Sequence, residues 1–347
     1  MKPVKKVLAV IKSAIGNRGP VKRPGQRSLK EREQSPGEEG AVKRADSKPS
    51  EDRDNMWERC AELARSPRIL DRFAADLKRC GVVGEDRAAR LLYLILTTRL
   101  FKRPTSAKVV GQSSAGKSFL TQAVLRFFPP DAYRELTAMS EKALVYSDKP
   151  LSHKFLVLYE NAGIAGPFAS YVVRSLLSEG RLKYETVERT NEGLRPRLIE
   201  LEGPTGLITT TTKLGLHPEN ETRLLSVPIN DSSEQTRKVM DATAARAAGQ
   251  RAVDDLVDWD AWHALQTWLE MGEHAVVIPF APALAAKIPP VAVRLRRDFL
   301  ALLSLIEAHR TVAPSPEVKG LSGSDRGDDR RLRGCSGTFE GSRVRGS

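Results

Sequence analysis

The sequence predicts an α/β protein in which helices flank a parallel β-sheet, and three observations lead to this prediction. A β-prone run at Ala107–Val110 continues through a glycine-containing loop into a helical pattern that stops at Pro129-Pro130. Two later runs, 155–158 and 206–208, are continuously apolar before polar residues follow. Strands that are covered on both faces lack the alternation of half-exposed strands, so both runs indicate buried, parallel strands.

Residues 111–118, called the phosphate loop below, fill every fixed position of the pattern GxxxxGK[ST]. Glycine at positions 111 and 116 is expected to allow backbone angles that a side chain would disfavour, so that successive N–H groups face a phosphate. Lys117 is expected to reach the β- and γ-phosphates of ATP, and the Ser118 hydroxyl to coordinate Mg²⁺. The predicted ATP-binding residues are Gly111, Gln112, Ser113, Ser114, Ala115, Gly116, Lys117, Ser118 and Phe119.

Glu160 stands at the carboxyl end of the run 155–158. An acid at this point of a parallel sheet lies beside bound phosphates, where it can hold Mg²⁺ or orient the attacking water. Two acids commonly stand there in tandem, and Tyr159 takes the first place. Glu160 is therefore expected to perform one of the two roles, or both weakly. The alternative is a core strand that ends in a surface glutamate.

An insertion separates the second predicted strand from the third. Residues 167–178 fit a helix, and the runs 181–188 and 198–202 fit two strands around Asn191-Glu192-Gly193. Three arginines, Arg189, Arg195 and Arg197, lie at the tip and flanks of this hairpin. They are candidates for contacts with a DNA backbone, because phosphate contacts require only positive donors. A plain surface hairpin is the alternative.

Several of these segments together resemble the ATPase domain of primase–helicase proteins from phages and integrated elements. The resemblance covers roughly residues 56–310 and extends to the AAA+ class and to superfamily 3 helicases within it. The segments that carry it are the phosphate loop, 155–160, 176–180, 209–212 and 217–226.

The resemblance implies a role for four residues. Lys117 would act on bound MgATP, and Glu160 would be the acid of the Walker B strand. Thr210 would lie near the sensor position, close to the γ-phosphate or the attacking water. Arg223 would be an arginine finger that reaches the nucleotide of a neighbouring subunit in a ring. Threonine is also a common strand residue, and arginine a common surface partner, so both assignments depend on the resemblance.

Charge and composition indicate the partners and the compartment. The formal net charge of +13 suggests a polyanionic partner, which we expect to be single-stranded or forked DNA, although solubility is an alternative reason for the charge. The longest apolar run of the N-terminal half, 91–96, is too short to cross a bilayer, so no membrane contact is expected. Three scattered cysteines fit a reducing compartment, and the cytoplasm is the expected location.

The domain organisation follows from these patterns. The sequence predicts five segments: a disordered basic arm (1–50), a helical N-terminal subdomain (51–102), the ATPase core (103–231) with its hairpin (181–202), a helical C-terminal subdomain (232–310), and a flexible Gly/Ser/Arg tail (311–347). We expect ATP hydrolysis coupled to DNA in mobile-element replication, as in a helicase or translocase. The alternatives are a P-loop phosphotransferase acting on a small molecule, and a nucleotide-binding remnant without turnover.

Overall fold

The computed structural model describes residues 48–161, 166–191, 193–212, 222–249 and 256–313. The predicted basic arm up to residue 47 and the predicted tail beyond residue 313 lie outside the described residues.

A parallel five-stranded sheet forms the centre of the described structure. Its strand order is β2-β3-β6-β1-β7, and every neighbouring pair is parallel. The predicted α/β fold with a parallel sheet is thereby confirmed. The strands are β1 (Ala107–Val110), β2 (Tyr133–Leu136), β3 (Lys154–Leu158), β6 (Thr205–Thr211) and β7 (Leu225–Pro228).

Both faces of this sheet are buried. Phe155 and Val157 of β3 belong to one apolar cluster, whereas Leu156 and Leu158 belong to another. Successive side chains of a strand point to opposite faces, so each cluster covers one face of the sheet. This double burial is the reason that β3 reads as a continuous apolar run.

Helices cover both faces. Three helices lie between Lys48 and Thr97, where the sequence predicts a helical subdomain at 51–102, and the third continues into a short 3₁₀ turn, Thr98–Leu100. In the described parts of the chain, no helix has the length and apolarity needed to span a bilayer. The helices are α1 (Lys48–Ala64), α2 (Ile69–Arg79), α3 (Asp86–Thr97), α4 (Lys117–Leu125), α5 (Pro167–Glu179), α6 (Ser233–Ala247), α7 (Trp259–Glu270), α8 (Ala281–Ala286) and α9 (Leu295–Val312).

An aromatic cluster of Phe73, Tyr93, Phe127 and Trp262 joins the N-terminal helices to α7 and to the segment after α4. The centroid of the Trp262 ring lies 5.2 Å from that of Phe127 and 5.7 Å from that of Tyr93. The indole Nε1 of Trp262 donates a hydrogen bond of 3.0 Å to the buried carboxylate of Asp76. This bond gives the only polar atom of the indole a partner inside the helical layer.

The inserted hairpin is also present, as β4 (Arg181–Thr190) paired antiparallel with β5 (Gly193–Glu202). Its strands are longer than predicted because the pairing continues up to the turn. Pro196 lies opposite Val187 within this ladder. A two-stranded ribbon has a free edge on each strand, so a residue without an N–H is tolerated there. Leu182 and Leu201 at the base are buried, and most of the remaining hairpin is exposed.

Substitution of Asp76 tests how much its buried carboxylate contributes to the stability of this helical layer. The carboxylate accepts hydrogen bonds from Trp262, from Arg79 at 2.7 Å and from Arg72 at 3.3 Å. Asp76→Ala should lower the free energy of unfolding by about 3 kcal/mol, because the buried indole N–H loses its acceptor and the two arginines lose their anion. Urea denaturation measures the change.

Asp71→Ala on the same helix removes two partly exposed ion pairs, with Arg68 and with Arg90, and should cost less than about 1 kcal/mol. Equal losses in both variants would contradict this account.

Candidate functional site

The phosphate loop connects the carboxyl end of β1 to the first residue of α4, Lys117. Two of its residues have left-handed backbone angles, Gly116 with φ of 84° and Ser114 with φ of 64°. The expectation for Gly116 holds, since this conformation disfavours a side chain. Gly111 has no positive φ, and a Cβ there would make only ordinary contacts, at 3.5 Å to Ala115 and 3.6 Å to Ile229. The predicted need for unusual backbone angles at position 111 is therefore wrong, and Ser114 has the second left-handed conformation.

Lys117 is buried at the start of α4, with 6% of the residue exposed. Its Nζ donates hydrogen bonds to the backbone carbonyls of Gly111 at 3.2 Å and Gln112 at 2.7 Å. The ammonium group therefore lies across the mouth of its own loop. The N-terminus of α4 adds a partial positive charge at the same place, so the loop attracts an anion through two independent sources.

The other loop side chains are more open to solvent. Gln112, Ser113 and Ser114 are exposed, and Ser118 is partly buried in the first turn of α4. Phe119 is 47% exposed, which is unusual for a large apolar side chain. These positions leave the concave side of the loop accessible to a ligand.

Glu160 lies at the same edge of the sheet, directly after β3. Its backbone is left-handed, with φ of 55° and ψ of 28°. The side chain is exposed, whereas the backbone N–H donates a hydrogen bond of 2.9 Å to the Oγ1 of Thr210 on the neighbouring strand β6. A non-glycine residue in this conformation costs about 1–2 kcal/mol, and such residues concentrate at functional sites.

Thr210 is fully buried near the carboxyl end of β6 and lies opposite Val109 of β1. Its hydroxyl oxygen accepts the Glu160 N–H, so the threonine holds the backbone of the acid in place. The adjacent strands β3, β6 and β1 thus bring Glu160, Thr210 and the phosphate loop together at one edge of the sheet.

The Tyr159 side chain points away from Glu160, Thr210 and the phosphate loop. Its hydroxyl donates a hydrogen bond of 2.6 Å to Glu135 of β2, which lies on the other side of β3 from β6 and β1. Burial raises the pKa of the phenol, and the neighbouring Glu135 carboxylate raises it further, so the hydroxyl stays protonated. Tyr159 therefore supplies no oxygen at the loop, and Glu160 is the acid that β3 presents there.

Arg223 lies at the opposite end of the sheet, called the amino edge below, where the parallel strands begin. Two residues later, the Leu225 N–H donates to the carbonyl of Ser106, which precedes β1. The guanidinium Nε of Arg223 donates a hydrogen bond of 2.7 Å to the Ser178 hydroxyl at the end of α5. The structure consequently does not bring Arg223 to the phosphate loop of its own chain.

The three hairpin arginines do not share one surface. Arg189 lies opposite Leu194, whereas Arg195 and Arg197 belong to the other face of the ribbon, because alternate residues point to opposite sides. Arg197 pairs with Glu188 at 3.1 Å, and both side chains are about half exposed. Each face of the hairpin therefore carries arginine, but the hairpin as a whole has no formal net charge, because its five Lys/Arg residues stand against five glutamates.

Glu85 is a buried acid near the loop that the sequence analysis missed. Its carboxylate accepts a hydrogen bond of 3.0 Å from the N–H of Asn230, next to the Ile229 that lies close to Gly111. In the sequence it is the first of two adjacent acids at the start of a helical pattern, and tertiary structure buries it beside the segment after β7. Burial raises the pKa of Glu85 from 4.5 to about 7.

A comparison with protein-family models and a comparison with curated proteins both find no match for this chain.

The raised pKa of Glu85 predicts a pH dependence of stability. A carboxyl whose pKa is higher in the folded state stabilises the fold fully below pH 4.5, and this contribution is lost as the pH rises to about 7. Glu85→Gln should remove the loss, so that above pH 7 the variant gains up to about 3 kcal/mol over the native chain. Denaturant unfolding at pH 5 and pH 8 measures the difference. Asp86→Asn, at the next and more exposed acid, is the control, and an equal gain above pH 7 in that variant would contradict the assignment to Glu85.

Proposed function

We propose that this chain is a P-loop ATPase that binds MgATP at the phosphate loop. One observation carries the proposal: the loop leaves the carboxyl end of an interior parallel strand, and Lys117 opens the helix that follows. From β1 the chain crosses the sheet to β2, whereas from β6 it crosses in the other direction to β7. Ligands of open parallel sheets bind beyond the carboxyl ends of strands where the order reverses in this way.

The residues present fit the magnesium ion that accompanies ATP. The Ser118 hydroxyl and the Glu160 carboxylate are oxygen donors, which Mg²⁺ prefers, and the ion commonly takes its other ligands from phosphates and water. Bound Mg²⁺ would neutralise charge on the β- and γ-phosphates. Lys117 would supply a second cation, after its ammonium group leaves the carbonyls of Gly111 and Gln112.

Glu160 would orient the water that attacks the γ-phosphate. Its left-handed backbone and the bond to Thr210 fix where the acid leaves β3, and catalysis by positioning depends on such restraint. Thr210 would then be a positioning residue that acts through Glu160. This differs from the direct contact with the γ-phosphate that the resemblance implies for Thr210.

A ring of several copies is part of the proposal. Arg223 lies at the amino edge of the sheet and the phosphate loop at the carboxyl edge, so the arginine would serve the nucleotide of another copy. A guanidinium is planar and permanently charged, which suits the charge spread over the transferred phosphoryl group.

Single-stranded or forked DNA is the proposed partner, in a helicase-like or translocase-like role during mobile-element replication in the cytoplasm. The net charge of +13 supports this assignment, and the exposed side chains of Arg189, Arg195 and Arg197 on the hairpin are the candidate contacts. The hairpin starts and ends at the amino edge, because β5 leads into the beginning of β6. DNA on the hairpin would therefore not compete for space with ATP at the opposite edge.

Two matched variants test the ATPase proposal. Glu160→Gln keeps the shape of the side chain but removes the charge, so hydrolysis should fall at least about a hundredfold while ATP binding persists. Lys117→Ala should weaken ATP binding itself, because the cation for the β- and γ-phosphates is lost. The measurements are the hydrolysis rate and the dissociation constant of a fluorescent ATP analogue. Glu135→Gln, which acts on the acid that faces Tyr159, is the control and should retain hydrolysis.

The outcomes separate the alternatives. ATP binding without hydrolysis in the native chain would favour the nucleotide-binding remnant. Transfer of the γ-phosphate to a small molecule instead of water would favour the phosphotransferase. Unchanged hydrolysis in Glu160→Gln would show that the catalytic acid lies elsewhere.

Replacement of Arg189, Arg195 and Arg197 by glutamine tests the DNA assignment. Affinity for single-stranded DNA should fall, and the slope of log K against log salt should decrease by up to about two, since each phosphate contact to single strands contributes about 0.7. Titrations with a labelled oligonucleotide at several salt concentrations measure both. A variant with Arg237, Lys238 and Lys287 replaced loses the same charge from exposed positions outside the hairpin. An equal effect of both variants would assign the DNA contact to net charge alone.

A further inference from the structure

One face of the β4–β5 hairpin carries exposed apolar side chains. Residues that lie opposite each other in the pairing register point to the same face, and so do alternate residues of one strand. Leu182 and Leu201 are buried, so the face that carries them is turned toward the rest of the fold. The other face is turned to solvent. We call its half next to the turn the outer hairpin face, which consists of Glu185, Val187, Arg189, Leu194, Pro196 and Leu198.

The centre of the outer hairpin face is apolar. The exposed fraction is 64% for Val187, 74% for Leu194 and 57% for Leu198, and Pro196 is exposed as well. Val187 lies directly opposite Pro196, and each leucine lies two residues from Pro196 along β5. Single exposed apolar residues are common on protein surfaces, whereas a contiguous group indicates an interaction site. These four side chains are such a group.

A carboxylate and a guanidinium flank the apolar group. Glu185 lies two residues before Val187 on β4, and Arg189 lies two residues after it. Both side chains are exposed. The two residues are about 13 Å apart along the strand, so they do not pair with each other. The charges therefore stand at opposite ends of the patch, one of each sign.

This arrangement is complementary to itself. We consider a second hairpin placed face to face with the first, related by a two-fold axis that runs across the strands at Val187 and Pro196. The axis reverses the strand direction, so each Glu185 lies over Arg189 of the other copy, and each Leu194 lies over Leu198. One contact thus forms two ion pairs around an apolar centre. A two-fold interface uses the same patch on both copies, and this patch meets that condition.

We propose that the outer hairpin face binds a second copy of this chain through this two-fold contact. Packed sheets lie about 10 Å apart, a distance that the side chains of both copies fill. A two-stranded ribbon offers a small area, so we expect a weak complex with a dissociation constant of about 10–100 µM. The contact requires no nucleotide and goes beyond the proposed function. Arg189 is also a candidate DNA contact, so DNA would compete with the second copy.

Exchange of the two charges tests the contact. Glu185→Arg and Arg189→Glu each replace two opposite-charge pairs by two like-charge pairs, so each should weaken self-association of the full chain at least about tenfold. The double variant restores the opposite charges and should associate as the native chain does. An equimolar mixture of the two single variants should also associate, because the arginines of one variant then face the glutamates of the other.

Sedimentation equilibrium without nucleotide or DNA measures the association at chain concentrations up to about 200 µM, above the expected dissociation constant. Glu62→Arg is the control, since it makes the same charge change at an exposed position of α1 and should alter the association less than about twofold. Circular dichroism verifies that each variant is folded. Recovery in the mixture would support the proposal, because a structural defect in each single variant cannot be repaired by mixing.

Several results would overturn the proposal. A native chain that stays monomeric over the whole range has no such contact. Association that neither single exchange weakens, or that Glu62→Arg weakens equally, belongs to another surface or to net charge. Binding of a monomeric chain to phosphatidylcholine vesicles, abolished by Val187→Asn, would assign the apolar group to a lipid surface. ATP hydrolysis enters none of these measurements, so failure of the proposed function is a separate result.

Discussion

The candidate site depends on the position of β1 between two parallel neighbours, β6 and β7. Hydrogen bonds on both sides fix the strand, and Val109 in its middle is fully buried. The phosphate loop therefore starts from a rigid point. Beyond α4, Phe127 packs in the aromatic cluster against Trp262, so the far end of the helix is also held. A loop between two fixed ends keeps its left-handed residues and its buried lysine in place.

In a parallel sheet all strands begin on one side and end on the other, so the two ends of the sheet carry different functional residues. Strand ends at the carboxyl edge carry the phosphate loop, Thr210 and Glu160. The amino edge carries the hairpin and Arg223. All five strands of the central sheet run in the same direction, so the two edges lie at opposite ends of the strands.

The helical layer supports the carboxyl edge from outside. Asp76 ties α2 to α7 through Trp262, and Glu85 ties the start of α3 to the segment after β7. Gln235 of α6 strengthens the same contact by donating a hydrogen bond of 2.6 Å to the carbonyl of Val83. The segment after β7 also lies close to Gly111, so the packing of these helices reaches the first residue of the phosphate loop.

The sequence by itself determined the local elements. The loop pattern, the apolar run of β3 and the turn of the hairpin are short-range signals, and each predicts an element that the structure contains. Tertiary structure alone decided the direction of Tyr159, the burial of Glu85 and the split of the hairpin arginines between two faces. These features arise from contacts between residues far apart in the chain, or from the exact pairing register, and neither leaves a periodic signal in the sequence.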